Sequence, residues 1–63
     1  MDNQGLYAFE SWMNGSEVQT SGFYRGVEAM EFIDIHEESS TFAELHVYQF
    51  EEEALAHYES LQQ

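Results

Sequence analysis

Residues 27–49, VEAMEFIDIHEESSTFAELHVYQ, decide the fold. Ile33 and Ile35 alternate with Asp34 and His36, and Ala43, Leu45 and Val47 alternate with Glu44, His46 and Tyr48. That is the period-two pattern of a half-buried sheet. The spacing predicts an antiparallel hairpin with strands at about 30–36 and 42–49 and a turn at Glu38, Ser39 and Ser40. Met30 and Glu31 favour helix, so a helix reaching as far as Phe32 stays open.

Beyond this stretch, residues 51–61 read as a helix. Ala54, Leu55, Tyr58 and Leu61 fall on one face, and Glu51, Glu52 and Glu53 occupy the first turn, where the helix dipole favours negative charge. Residues 1–26 allow two readings. Leu6, Phe9 and Met13 recur at helical spacing, with Asp2 or Asn3 as a cap and Asn14-Gly15 as a stop. The same Asn14-Gly15 pair is a strong hairpin signal, and Val18, Thr20, Phe23 and Tyr24 favour extended structure after it, which tips the reading to a strand pair. The expected fold class is therefore α+β, a small antiparallel sheet covered on one face by the C-terminal helix.

Burial fixes the expected register of the 30–36/42–49 hairpin. A three-residue turn sets Ile35 opposite Ala43 and Ile33 opposite Leu45 on the buried face. The other face then carries Asp34 opposite Glu44, His36 opposite Phe42, Phe32 opposite His46 and Met30 opposite Tyr48. Like charges placed directly opposite each other destabilise a sheet. A face with Asp34 against Glu44 amid Phe32, Phe42 and Tyr48 reads as a surface kept for a partner. Alternate residues along a strand stand about 6.5–7 Å apart, close to the spacing of successive phosphates.

The chain has 63 residues, 13 Asp or Glu and one basic residue, Arg25, for a net charge of −12. One small domain spanning 1–63 is expected, with little room for a deep cleft beside a core. A single arginine cannot neutralise a run of phosphates or hold an anionic membrane, so neither nucleic acid nor membrane is a direct partner. An electrostatically steered partner must be basic. An aromatic content of 16% argues for a folded chain over a solvated acidic tail. Without cysteine, no disulfide or thiolate zinc site stabilises the core, which must rely on packing, a partner or a homodimer. No apolar run approaches a membrane span and no secretory signal is recognisable, so the expected location is the cytoplasm.

Little in the sequence points to chemistry. His36, Glu37 and Glu38 with Glu44 and His46 are metal-ligand types, but no established ligand spacing joins them. No nucleophile elbow or phosphate-binding loop occurs, so no catalytic residue, metal or cofactor is assigned. Arg25 is expected in an internal ion pair, and Trp12, Phe23 and Tyr24 in the core.

A short, strongly acidic, aromatic-rich chain without cysteine, proline or a catalytic motif resembles the small acidic inhibitors encoded by phages and mobile elements, among them anti-CRISPR proteins and other DNA mimics. The resemblance is one of overall character and carries no motif. It implies a non-enzymatic inhibitor that occupies the basic, DNA-binding surface of a host defence complex, such as a type I CRISPR surveillance complex. The residues expected to carry binding are Asp34, Glu37, Glu38 and Glu44 near the hairpin turn, Glu51, Glu52 and Glu53 at the helix start, and Phe32, Phe42 and Tyr48. The alternative is an acidic adaptor or antitoxin-like module that binds through its aromatic patch, with charge serving solubility.

Overall fold

A computed structural model describes residues 4–62. The elements in chain order are β1 (Gln4–Asn14), β2 (Glu17–Thr20), β3 (Tyr24–Arg25), α1 (Gly26–Glu38), β4 (Glu44–Phe50) and α2 (Glu51–Ser60). The α+β class, the N-terminal strand pair and the C-terminal helix are as the sequence indicates. The candidate helix cap at Asp2 or Asn3 lies outside the described residues.

β1 is the central strand of an antiparallel sheet. It pairs with β2 through a register that sets Asn14 opposite Glu17, leaving Gly15 and Ser16 as a two-residue turn. Gly15 has φ 69° and Ser16 has no positive φ, the pattern of a turn whose first central position demands glycine. β2 and β3 form one return strand with a bulge. Between the pairs Ser11/Thr20 and Ala8/Tyr24, two residues of β1 face three, Ser21, Gly22 and Phe23. Ser21 keeps the ladder satisfied there, its N–H donating to the Glu10 carbonyl at 2.9 Å and its hydroxyl accepting from the Glu10 N–H at 2.8 Å.

The other edge of β1 pairs with β4, with Phe9 opposite His46, Ala8 opposite Val47 and Tyr7 opposite Tyr48. The expected strand at 30–36 is a correction: these residues lie in α1, and β4 takes β1 as its partner. Ala29, Phe32, Ile33 and His36, at i, i+3, i+4 and i+7, are the residues of α1 withdrawn from solvent, and they fix a helical stripe. The alternation at Ile33 and Ile35 misleads because Ile35 is 65% exposed. The cross-strand pairs Asp34/Glu44, His36/Phe42, Phe32/His46 and Met30/Tyr48 therefore do not form.

Strand side chains alternate between faces, so Tyr7, Phe9 and Ser11 point one way and Ala8, Glu10 and Trp12 the other. α2 packs on the first face, where the Tyr58 and His57 rings meet Phe9 edge-on at 5.0 and 5.5 Å. α1 packs on the second, where Phe32 stacks on Tyr24 at 4.4 Å and His36 Nδ1 is hydrogen-bonded to Glu10 Oε2. The extents of 42 × 29 × 12 Å agree with this arrangement. Three strand rows about 4.8 Å apart account for the thin dimension, and helix, sheet and helix about 10 Å apart for the middle one. Both sheet faces are thus covered, where the sequence predicted one.

Among the described residues the fully buried apolar core is Ala8, Phe9, Ala29 and Ala54, with Phe9 its one large side chain. Alanines at the helix contacts let both helices sit close to the sheet. Phe23, His46, Tyr48, His57 and Tyr58 cage Phe9, and the Tyr58 hydroxyl donates to the Ser21 carbonyl at 3.0 Å, tying α2 to the bulge. Arg25 donates from Nε and Nη2 to Glu51 Oε2 at 3.1 and 2.7 Å, the ion pair expected of the lone arginine. Trp12, expected in the core, is instead 39% exposed.

Candidate functional site

α1 carries the longest run of uncompensated charge. Its inward stripe is set by Ala29, Phe32, Ile33 and His36, and at 3.6 residues per turn Glu31, Asp34 and Glu38 cluster within about 60° on the opposite, outward side. Glu28 and Glu37 flank them. All five are exposed, and among the described residues none of the five has an ion-pair or hydrogen-bond partner. Glu31, Asp34 and Glu38 span about 10 Å of helix axis, one carboxylate per roughly 5 Å, while Glu28 and Glu37 stand on opposite flanks of the helix, about 180° apart. A strand of duplex DNA carries one charge per about 3.4 Å of axis.

The acidic surface is thus a helix face and not the sheet face that the sequence suggested. Asp34, Glu37 and Glu38 belong to it. Glu44 does not: it opens β4 opposite Ser11, on the side that α2 covers. Glu52 and Glu53 are exposed in the first turn of α2, also across the sheet from α1, while Glu51 is neutralised by Arg25. The aromatic residues separate as well. Phe32 is stacked on Tyr24 under α1, and the Tyr48 hydroxyl shares a 2.6 Å hydrogen bond with His57 Nδ1 under α2. Only Phe42 stands in solvent, at 102% exposure.

Phe42 has company that the sequence did not indicate. It forms, with Glu10, Trp12, Met13, Thr41 and Ala43, a groove of about 580 Å³ beyond the C-terminal end of α1. Met13 is 62% exposed there. Exposed aromatic and thioether side chains lining one groove on so small a chain are a candidate interaction surface. The segment after α1 supplies Thr41 and Phe42 to this groove, and His36, in the last turn of α1 on its inward stripe, is hydrogen-bonded to the lining residue Glu10.

A second polar cluster lies under α2. Ser11 Oγ and His46 Nε2 are 2.8 Å apart, and the His46 and His57 rings meet edge-on at 4.7 Å. Burial pushes His46 below the usual imidazole value, the neighbouring His57 adds to this, and Glu44 opposes it. A neutral His46 can share its hydrogen bond with the buried Ser11, satisfying both groups beneath the helix. The sheet separates this cluster from His36, so the metal-ligand types noted in the sequence do not converge. Among the described residues no group of three or more His, Asp or Glu is placed to hold a metal ion. None of the described helices is long and apolar enough to cross a membrane. No family model, no curated protein and no solved structure matches the chain.

Proposed function

We propose that the chain is a non-enzymatic inhibitor that binds the basic, nucleic-acid-contacting surface of another protein and displaces nucleic acid from it. The observation that carries this reading is the outward face of α1, where Glu31, Asp34 and Glu38 are exposed and unpaired and stand about 5 Å apart along the helix axis, within a factor of about two of the charge spacing of a nucleic-acid strand. Together with the resemblance to phage-encoded acidic inhibitors, it favours the DNA-binding groove of a host defence complex as target, in the manner of an anti-CRISPR protein in the host cytoplasm. Long-range attraction between a net charge of −12 and a lysine-rich groove speeds encounter, and short-range contacts then supply specificity. The chemistry asked of the chain is binding alone.

A second reading rests on a different observation, the exposed Trp12, Met13 and Phe42. In that reading an acidic adaptor or antitoxin-like module docks through aromatic surface and its charge serves solubility. Salt separates the two. The association rate with a partner captured from the host is measured at 50 mM and 500 mM NaCl. Mimicry predicts a fall of about tenfold or more, because exposed charges are screened within a few ångströms at high salt. A rate that holds steady across the series would favour the adaptor and remove the mimicry reading.

A further inference from the structure

We infer that the groove formed by Trp12, Phe42 and Glu10 receives an arginine side chain of the basic partner. This rests on the reading above that the partner is a basic protein, and it names the contact that adds specificity to charge.

The walls of the groove are apolar and aromatic, and its one ionisable lining residue is Glu10. The Glu10 side chain is only 17% exposed. His36 holds its Oε2, and among the described residues Oε1 accepts no hydrogen bond. A partly desolvated carboxylate lining the same groove as Trp12 and Phe42 calls for a cation that tolerates desolvation and offers a flat face. Guanidinium does both, stacking on aromatic rings and donating in a planar fork to a carboxylate, while an ammonium is compact and strongly hydrated. The net charge of −12 attracts basic partners to the chain as a whole.

Other occupants fit less well. Phosphate and acidic peptides are repelled by the net charge of −12. A second copy carries that same charge, and its single arginine is committed to Glu51. A purely apolar side chain would leave Oε1 of Glu10 without a donor.

The test compares nona-arginine and nona-lysine peptides, which carry equal charge, on the intact chain. Trp12 is the only tryptophan, so its emission reports groove occupancy directly. Nona-arginine is expected to bind about fivefold more tightly than nona-lysine, the gain of one partly desolvated cation–π contact, and to change Trp12 emission. Phe42→Ala, at a fully exposed position, should bring the ratio of the two affinities close to one with the fold unaltered. Equal affinities in the parent chain, or a ratio that survives Phe42→Ala, would overturn the groove assignment. Reversing the α1 acids should weaken both peptides in parallel and leave the ratio intact. Failure of that parallel loss counts against the mimicry reading, while the ratio still judges the groove.

Discussion

Replacing Glu31, Asp34 and Glu38 by lysine is expected to weaken binding to the basic partner about a hundredfold while leaving the fold intact. These three residues form the centre of the outward face of α1. Each reversal changes the net charge by two, taking it from −12 to −6. Every exposed pair is worth only a few tenths to about 1 kcal/mol, but each site loses an attraction and gains a repulsion, and three sites together reach about two orders of magnitude. The helix itself should tolerate the change, because all three sites are exposed and Asp34 and Glu38 lie in its second half, where lysine suits the negative end of the helix dipole. A control with the same charge change elsewhere, at Glu17, Glu52 and Glu59, should lose far less. Equal losses for both variants, measured by titration calorimetry, would mean that bulk charge and not the α1 ridge carries recognition.

Replacing Phe9 by alanine is expected to unfold the chain. Removing a buried phenylalanine costs about 3–5 kcal/mol, and a core on this scale seldom supplies more than about 3–5 kcal/mol in all. Phe9 is 0% exposed, and rings from both the return strand and α2 close on it, so the cavity left behind adjoins several elements at once. With no cysteine in the chain, no disulfide compensates. Near-ultraviolet circular dichroism should show loss of the aromatic signal, and thermal scans should show no cooperative transition. A cooperative melt within a few degrees of the parent would show that the alanine contacts and polar clusters hold the sheet without Phe9.

The parts of the fold that were legible in sequence are those governed by local chemistry. Asn14-Gly15 announces the first hairpin, and three glutamates ahead of Ala54, Leu55, Tyr58 and Leu61 announce α2. The 27–38 segment misleads because its buried stripe includes a histidine and an alanine. Ile33 and Ile35 imitate alternation there, although only Ile33 turns inward. Once that segment is a helix, β4 must pair elsewhere, and its partner β1 lies far back in the chain, with Ser11 and His46 meeting across 35 residues. No local period reveals such a pairing. α2 covers one face of β4, so His46 and Tyr48 turn inward there, while Val47 on the other face is 47% exposed.

The site was legible to the same extent. The sequence marks Asp34, Glu37, Glu38 and Phe42 as acids and an aromatic near a turn, and the structure puts Asp34 and Glu38 on the outward face of α1, Glu37 on its flank and Phe42 in the groove with Trp12. Glu31 is not marked by the sequence because only helical phasing brings it beside Asp34 and Glu38. Trp12 was assigned to the core on residue type. Its exposure follows from β1 running on past Ser11, the last residue of that strand paired with β4, to a hairpin end that neither helix is long enough to cover.

The central claim is that the outward face of α1 takes the place of nucleic acid on a basic surface. The most direct measurement is competition: the partner captured from the host on immobilised protein is challenged with increasing duplex DNA, and with the Glu31→Lys/Asp34→Lys/Glu38→Lys variant as soluble competitor. The account predicts that duplex DNA and the parent protein release the partner while the charge-reversed variant fails to do so. A partner that stays bound in the presence of saturating DNA, yet is released by the charge-reversed chain as readily as by the parent, would contradict it.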